Sequence, residues 1–187
     1  MTIDKMTATD MVQATTKYNT MPEDTMAING FYTATCYGAD GQVKWEEPFC
    51  NLVTTVGKNF TLDTTLGNTA GGAVVMGLKG TGTAAVTDTQ SSHAGWLEVG
   101  GTNAPTYSGT RPTPSFSAAS SGSKATSSAV SFSMTGTGTV AGCFINIGGS
   151  ATKDSTTGTL FSAGDFSSSK SVVNGDTIAV TYTATLT

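Results

Sequence analysis

The sequence predicts a mainly β protein: an antiparallel β-sandwich carrying one short inserted helix and an extended N-terminal arm. Three observations lead there. Thr, Ser and Gly supply 78 of the 187 residues, and β-branched side chains pack well on a half-buried pleated surface. The C-terminal third alternates apolar with polar residues at the period of two that a strand with one buried face requires. Turn signals punctuate the chain at short spacing, with Asp40-Gly41 and Asn174-Gly175 the clearest. No clean internal repeat is present, which argues against a solenoid or propeller and leaves jelly-roll or Ig-like connectivity.

In chain order, residues 1–26 hold five of the seven methionines, Met1, Met6, Met11, Met21 and Met26, among Thr, Asp and Lys. With so little other large apolar surface they cannot build a core, and they are expected to form an arm whose adaptable methionines dock on a neighbouring subunit. The β domain is expected over 27–187, a length suited to a single core. Strands are predicted at Ile28–Tyr37 and Gln42–Trp45 around the Asp-Gly hairpin. A helix is predicted over 53–66 from the spacing of Leu52, Val56, Phe60 and Asp63, ended by Gly67. Val74–Lys79 reads as a strand followed by a Gly80–Thr83 turn, and His93–Val99 as the next strand-like piece. Pro105, Pro112 and Pro114 exclude a central strand from most of Gly100–Ser128, leaving a long surface excursion with edge strands at Thr106–Thr110 and Ser115–Ala118. Val130–Met134, Ala141–Ile147 and Ile178–Leu186 complete the set, the last following a two-residue Asn174-Gly175 hairpin turn.

Composition also bounds function. The net charge is −4, with nine Lys and Arg spread along the chain, so no basic stripe exists to neutralise a phosphate backbone, and nucleic acid is not an expected partner. No apolar run approaches the roughly 20 residues of a membrane span, so no membrane is expected. The N-terminus lacks a basic start and apolar core, which points to cytoplasmic synthesis. Cys36, Cys50 and Cys143 cannot all pair and show no C-x-x-C spacing, so they are expected to be buried thiols.

Chemistry-bearing patterns are sparse. His93 is the single histidine, so any Ser-His or Cys-His arrangement must use it. Asp88-Thr-Gln-Ser-Ser-His-Ala-Gly-Trp96 gathers an acid, hydroxyls, imidazole and indole, yet suits a scaffold or an interface better than a catalyst. Glu46 and Glu47 face opposite ways on a strand, and Asp165 with Asp176 is the other carboxylate pair to consider for sugar hydrolysis. Scattered Asp and Glu around one His give no metal-binding spacing, so neither metal nor cofactor is expected. Trp45, Trp96, Tyr107 and Phe116 divide between core and a surface for a glycan or a partner.

Several segments together resemble a known family. Trp45-Glu-Glu-Pro-Phe-Cys-Asn-Leu-Val-Thr-Thr-Val-Gly57, Asp88–Trp96 with Tyr107 and Thr110-Arg111-Pro112, Gly158-Thr-Leu160 and Val173-Asn-Gly-Asp-Thr177 are similar to small virion structural proteins of tailed bacteriophages, across residues 30–187. The resemblance implies a place on the capsid exterior or the tail, and brings no catalytic residues with it. The expectation is a capsid cement or decoration protein, not an enzyme. It would be synthesised in the host cytoplasm, form a homotrimer and adhere to the major capsid protein on the virion surface. The alternative is a tail-associated fibre or receptor-binding protein. Candidate partner contacts are Met6, Met11, Met21 and Met26 of the arm and Tyr107 and Arg111 of the excursion.

Overall fold

The computed structural model describes residues 27–67 and 69–187. The arm over 1–26, with Met6, Met11, Met21 and Met26, lies outside the described residues. In chain order the elements are β1 (Ile28–Tyr37), β2 (Val43–Val53), α1 (Thr55–Thr65), β3 (Val74–Gly82), β4 (Trp96–Val99), β5 (Ser123–Ala125), β6 (Val130–Ser133), β7 (Gly138–Ile147), β8 (Thr159–Val172) and β9 (Thr177–Leu186). The described chain is mainly β and its strand ladders are antiparallel, as the sequence predicts.

One continuous path of hydrogen bonds runs β4-β3-β7-β8-β2-β1-β9-β5, with β6 also on β9. β2 divides this path into two layers. Its residues 43–50 pair with β1, and its last three, Asn51–Val53, pair with β8. Where β2 leaves β8, side chains hold the two strands together. Glu47 accepts the Ser167 N–H at 2.9 Å and pairs with Lys170 at 3.0 Å, while the Trp45 indole donates to the Ser171 carbonyl at 3.3 Å.

The main core fills the space between the layers. Tyr32, Ala34 and Cys36 of β1 and Ile178, Val180 and Tyr182 of β9 meet Met76, Leu78, Cys143 and Ile145 of β3 and β7. The Tyr32 ring stacks on Phe49 at 5.0 Å, and its hydroxyl reaches Ser162 at 3.0 Å, so one side chain spans both layers and its polar tip is satisfied. Side chains alternate across a strand, and Phe144 points to the opposite face of β7, where it forms a second cluster with Trp96, Leu160 and Ala163. Gly77, paired with Phe144, makes this possible: a Cβ there would lie 2.2 Å from the ring.

The helix forms over Thr55–Thr65, inside the predicted range. Thr54 caps it by accepting the Gly57 N–H at 3.0 Å, and Gly57 lets it approach β8, since a Cβ there would stand 2.3 Å from the Phe161 carbonyl oxygen. The Asp40-Gly41 hairpin also forms, with Gly41 at φ +76° and Asp40 accepting the Gln42 N–H at 3.0 Å.

Other expectations need correction. The Asn174-Gly175 turn is tight, with the Asp176 N–H bonded to the Val173 carbonyl at 3.1 Å, but β8 and β9 do not pair; the turn carries the chain from one layer to the other. β3 continues through Gly80-Thr-Gly82 because Gly82 pairs with Trp96 across a bulge. The predicted edge strands in the excursion reduce to the single bridges Tyr107–Met134 and Phe116–Thr126, and the short β5 forms instead at Ser123–Ala125. β8 has no counterpart in the prediction. Cys36 and Cys143 are buried, but Cys50 is exposed, because it lies on the face of β2 opposite buried Phe49.

Candidate functional site

Strands β3 and β4 and the loops beside them gather most of the buried charge among the described residues. Arg111 is 1% exposed and Glu98 4%. The guanidinium donates Nε–H to Glu98 Oε1 at 2.8 Å and closes the fork from Nη2 to Oε2 at 2.5 Å. Its remaining donors reach the Ser150 carbonyl from Nη1 at 3.1 Å and the Ser155 carbonyl from Nη2 at 2.9 Å. Glu98 Oε2 also accepts the Asp154 N–H at 3.0 Å. A planar fork suits a carboxylate bidentately, and here it ties β4, the 100–128 excursion and the 148–158 loop together.

Lys79 provides a second buried charge. It is fully buried, pairs with Asp165 at 2.8 Å, donates to the Gly80 carbonyl at 3.3 Å, and lies 5.6 Å from the Trp96 ring centre. Asp165 also accepts the Ala84 N–H at 3.0 Å. Asp176, the other half of the carboxylate pair considered from sequence, pairs with Lys44 at 2.5 Å. Burial pushes the Asp176 carboxyl up, but Lys44 and the Val173 N–H outweigh it and leave it below its ordinary value.

Asp88, His93 and Trp96 do come together, around the indole. Asp88 accepts Trp96 Nε1–H at 2.9 Å and the Ala85 N–H at 2.8 Å. His93 stacks on Trp96 with ring centres 4.0 Å apart, and its Nδ1 faces the Trp96 carbonyl at 3.0 Å. A carbonyl only accepts, so this contact puts the proton of the neutral ring on Nδ1 and leaves Nε2 an acceptor. Beside them opens a pocket of about 400 Å³ lined by Gln90, His93, Glu98, Asn103, Asp154 and Ser155, among others. Gln90 is buried, donates to the Ser155 carbonyl at 3.2 Å, and has no partner for Oε1 among the described residues. The pocket thus presents hydrogen-bonding groups beside an imidazole that covers the indole.

Of the candidate partner contacts, Met6, Met11, Met21 and Met26 lie outside the described residues. Tyr107 and Arg111 lie inside the chain: they are 3% and 1% exposed and brace the excursion from within. Tyr107 packs edge-on against Phe132, with ring centres 5.1 Å apart, and Lys153 sits 4.1 Å from its ring centre while donating to the Gly100 carbonyl at 2.8 Å. Burial, then the Glu98 charge, pushes the Tyr107 phenol well above its ordinary range. Sequence reasoning missed Lys79 and Glu98, which looked like ordinary strand residues; the partner of Lys79, Asp165, lies far along the chain, and that of Glu98, Arg111, stood in a segment read as surface. No protein-family model, curated protein or solved structure matches this chain.

Proposed function

We propose that this chain is a virion structural protein of a tailed bacteriophage: a cement or decoration protein that adheres to the outer surface of the capsid and stiffens it. The segments that resemble such proteins support this reading. The observation that carries it is the bracing of the 100–128 excursion by the buried Glu98–Arg111 pair and Lys153. A long surface segment held in one shape binds without a large ordering cost, which suits adhesion. The partner is the major capsid protein, contacted by the braced face and by the arm over 1–26. The assembly is a homotrimer, in which modest contacts sum to firm attachment because the second and third become intramolecular. The test is co-sedimentation of the purified chain with capsids stripped of it. Saturable rebinding that raises the temperature of capsid rupture supports the reading, and no co-sedimentation sinks it.

The pocket beside His93 favours a second reading, a tail-associated receptor-binding protein. Asn103, Asp154 and Ser155 around an imidazole suit a sugar's hydroxyls and ring. A glycan array separates the two: binding abolished by His93→Ala supports the tail reading, and silence on the array supports cement.

A further inference from the structure

Lys79 of β3, Gly142 of β7 and Asp165 of β8 stand directly opposite one another on three neighbouring strands. Opposed residues share a face of the sheet, and Gly142 has no side chain to stand between the other two. Two strand spacings come to roughly 9.6 Å, a span that a lysine and an aspartate fill end to end. Nζ accordingly meets Asp165 Oδ1 at 2.8 Å. Lys79 is the one fully buried lysine among the described residues, and the Trp96 ring lies beside its ammonium.

The contact differs from an ordinary hydrogen-bonded ion pair. Nζ is held by the carbonyls of Gly82 at 2.5 Å and Gly80 at 3.3 Å. Asp165 Oδ1 is buried and makes no hydrogen bond, although the amine is 2.8 Å away, so Nζ approaches the carboxyl off the direction a hydrogen bond takes. The other oxygen, Oδ2, accepts the Ala84 N–H at 3.0 Å, which draws electron density from the carboxyl carbon. An amine thus rests against a polarised carboxyl with one oxygen anchored and the other free. Groups held in contact in this way reach effective concentrations on the order of 10⁵ M or more. Burial adds a driving force, because a desolvated ion pair is costly and an amide carries no charge.

We propose that Lys79 and Asp165 condense into an isopeptide bond that joins β3 to β8. The ammonium passes one proton to Oδ1, and the freed lone pair on Nζ forms the bond to Cγ. A second proton follows as the Cγ–Oδ1 bond breaks, and Oδ1 leaves as water. Asp165 is 31% exposed, so that water has a short way out. Oδ2 stays as the amide oxygen under the Ala84 N–H, and the remaining Nζ–H keeps the Gly82 carbonyl. No other reactant is consumed. The bond closes the chain between the two residues into a loop, which constrains the unfolded state as a disulfide does. This assignment does not depend on the virion reading.

The test is the intact mass of the purified full chain, measured after denaturation, followed by peptide mapping. The expected result is a chain lighter than its sequence by one water, with trypsin passing over Lys79 and a branched peptide joining residue 79 to residue 165. Lys79→Arg and Asp165→Ala should each restore the full sequence mass. The full mass in the unaltered chain would overturn the proposal. So would a water loss that maps elsewhere, as to a cyclised Asp40-Gly41, or one that persists in either variant.

Discussion

Arg111 and Glu98 meet inside the protein as a two-point ion pair, joining the middle of a proline-rich loop to the short strand β4. Both groups are withdrawn from water, so the pair is held by its geometry and by the carbonyls of Ser150 and Ser155. Removing one partner leaves a buried charge without its counterion. Arg111→Met and Glu98→Gln are each expected to lower unfolding free energy in urea titrations by about 3–5 kcal/mol. Arg111→Lys is expected to recover little, because an ammonium cannot fork onto both oxygens. The double change Arg111→Met with Glu98→Leu should cost well under the sum of the single losses, since it removes both charges at once.

Acid should loosen the strap between β2 and β8. The Glu47 carboxyl is pulled from its ordinary 4.5 to about 2, first by Ser167 and then by Lys170. Folding thus favours the charged form, so its contribution is whole above about pH 4.5 and fades as pH falls toward 2. Asp176, also lowered, acts in the same direction. Melting temperature followed from pH 6 to 2 should fall less steeply for Glu47→Gln than for the unaltered chain; parallel curves would remove Glu47 from the account.

Two glycines should resist even one added methyl group. A Cβ at Gly142 would stand 1.9 Å from the Gly164 carbonyl oxygen, which is backbone, whereas at Gly77 it would meet the end of the Phe144 ring. Overpacking typically costs about 1–3 kcal/mol. Denaturant titration should put Gly142→Ala at the upper end of that range and Gly77→Ala lower, because a ring can shift and a paired strand cannot.

The three thiols should separate by accessibility. Cys50 is exposed, while Cys36 and Cys143 are buried. Burial, followed by the Asp176 charge, pushes the Cys36 thiol up to about 11, and burial pushes Cys143 higher still. Since the thiolate is the reactive form, a thiol probe at pH 8 should label one cysteine in the native chain and all three in denaturant.

Much of the β framework was legible because its core strands alternate. Tyr32, Ala34 and Cys36 declare β1, and Ile178, Val180 and Tyr182 declare β9. β8 was not, because its buried run Ser162-Ala163-Gly164 has no large apolar side chain to mark a face. Those positions are small because the neighbours come close: a Cβ at Gly164 would stand 2.8 Å from the Phe49 ring. The Asn174-Gly175 turn had a hairpin's residues without a hairpin's partners, since pairing is decided by layers that a local dipeptide does not sense. The candidate site was legible around Asp88, His93 and Trp96, where the residues are close in sequence. It was not legible at Arg111, where low local hydrophobicity suggested a surface and a carboxylate thirteen residues earlier made an interior.

The measurement that tests the central claim most directly is the copy number of this chain in purified particles, by quantitative mass spectrometry against the major capsid protein. The account predicts a ratio near one, or a fixed large fraction of it, as a protein covering the shell requires. A dozen or so copies would move the chain to the tail, and absence from the particles would contradict a virion role.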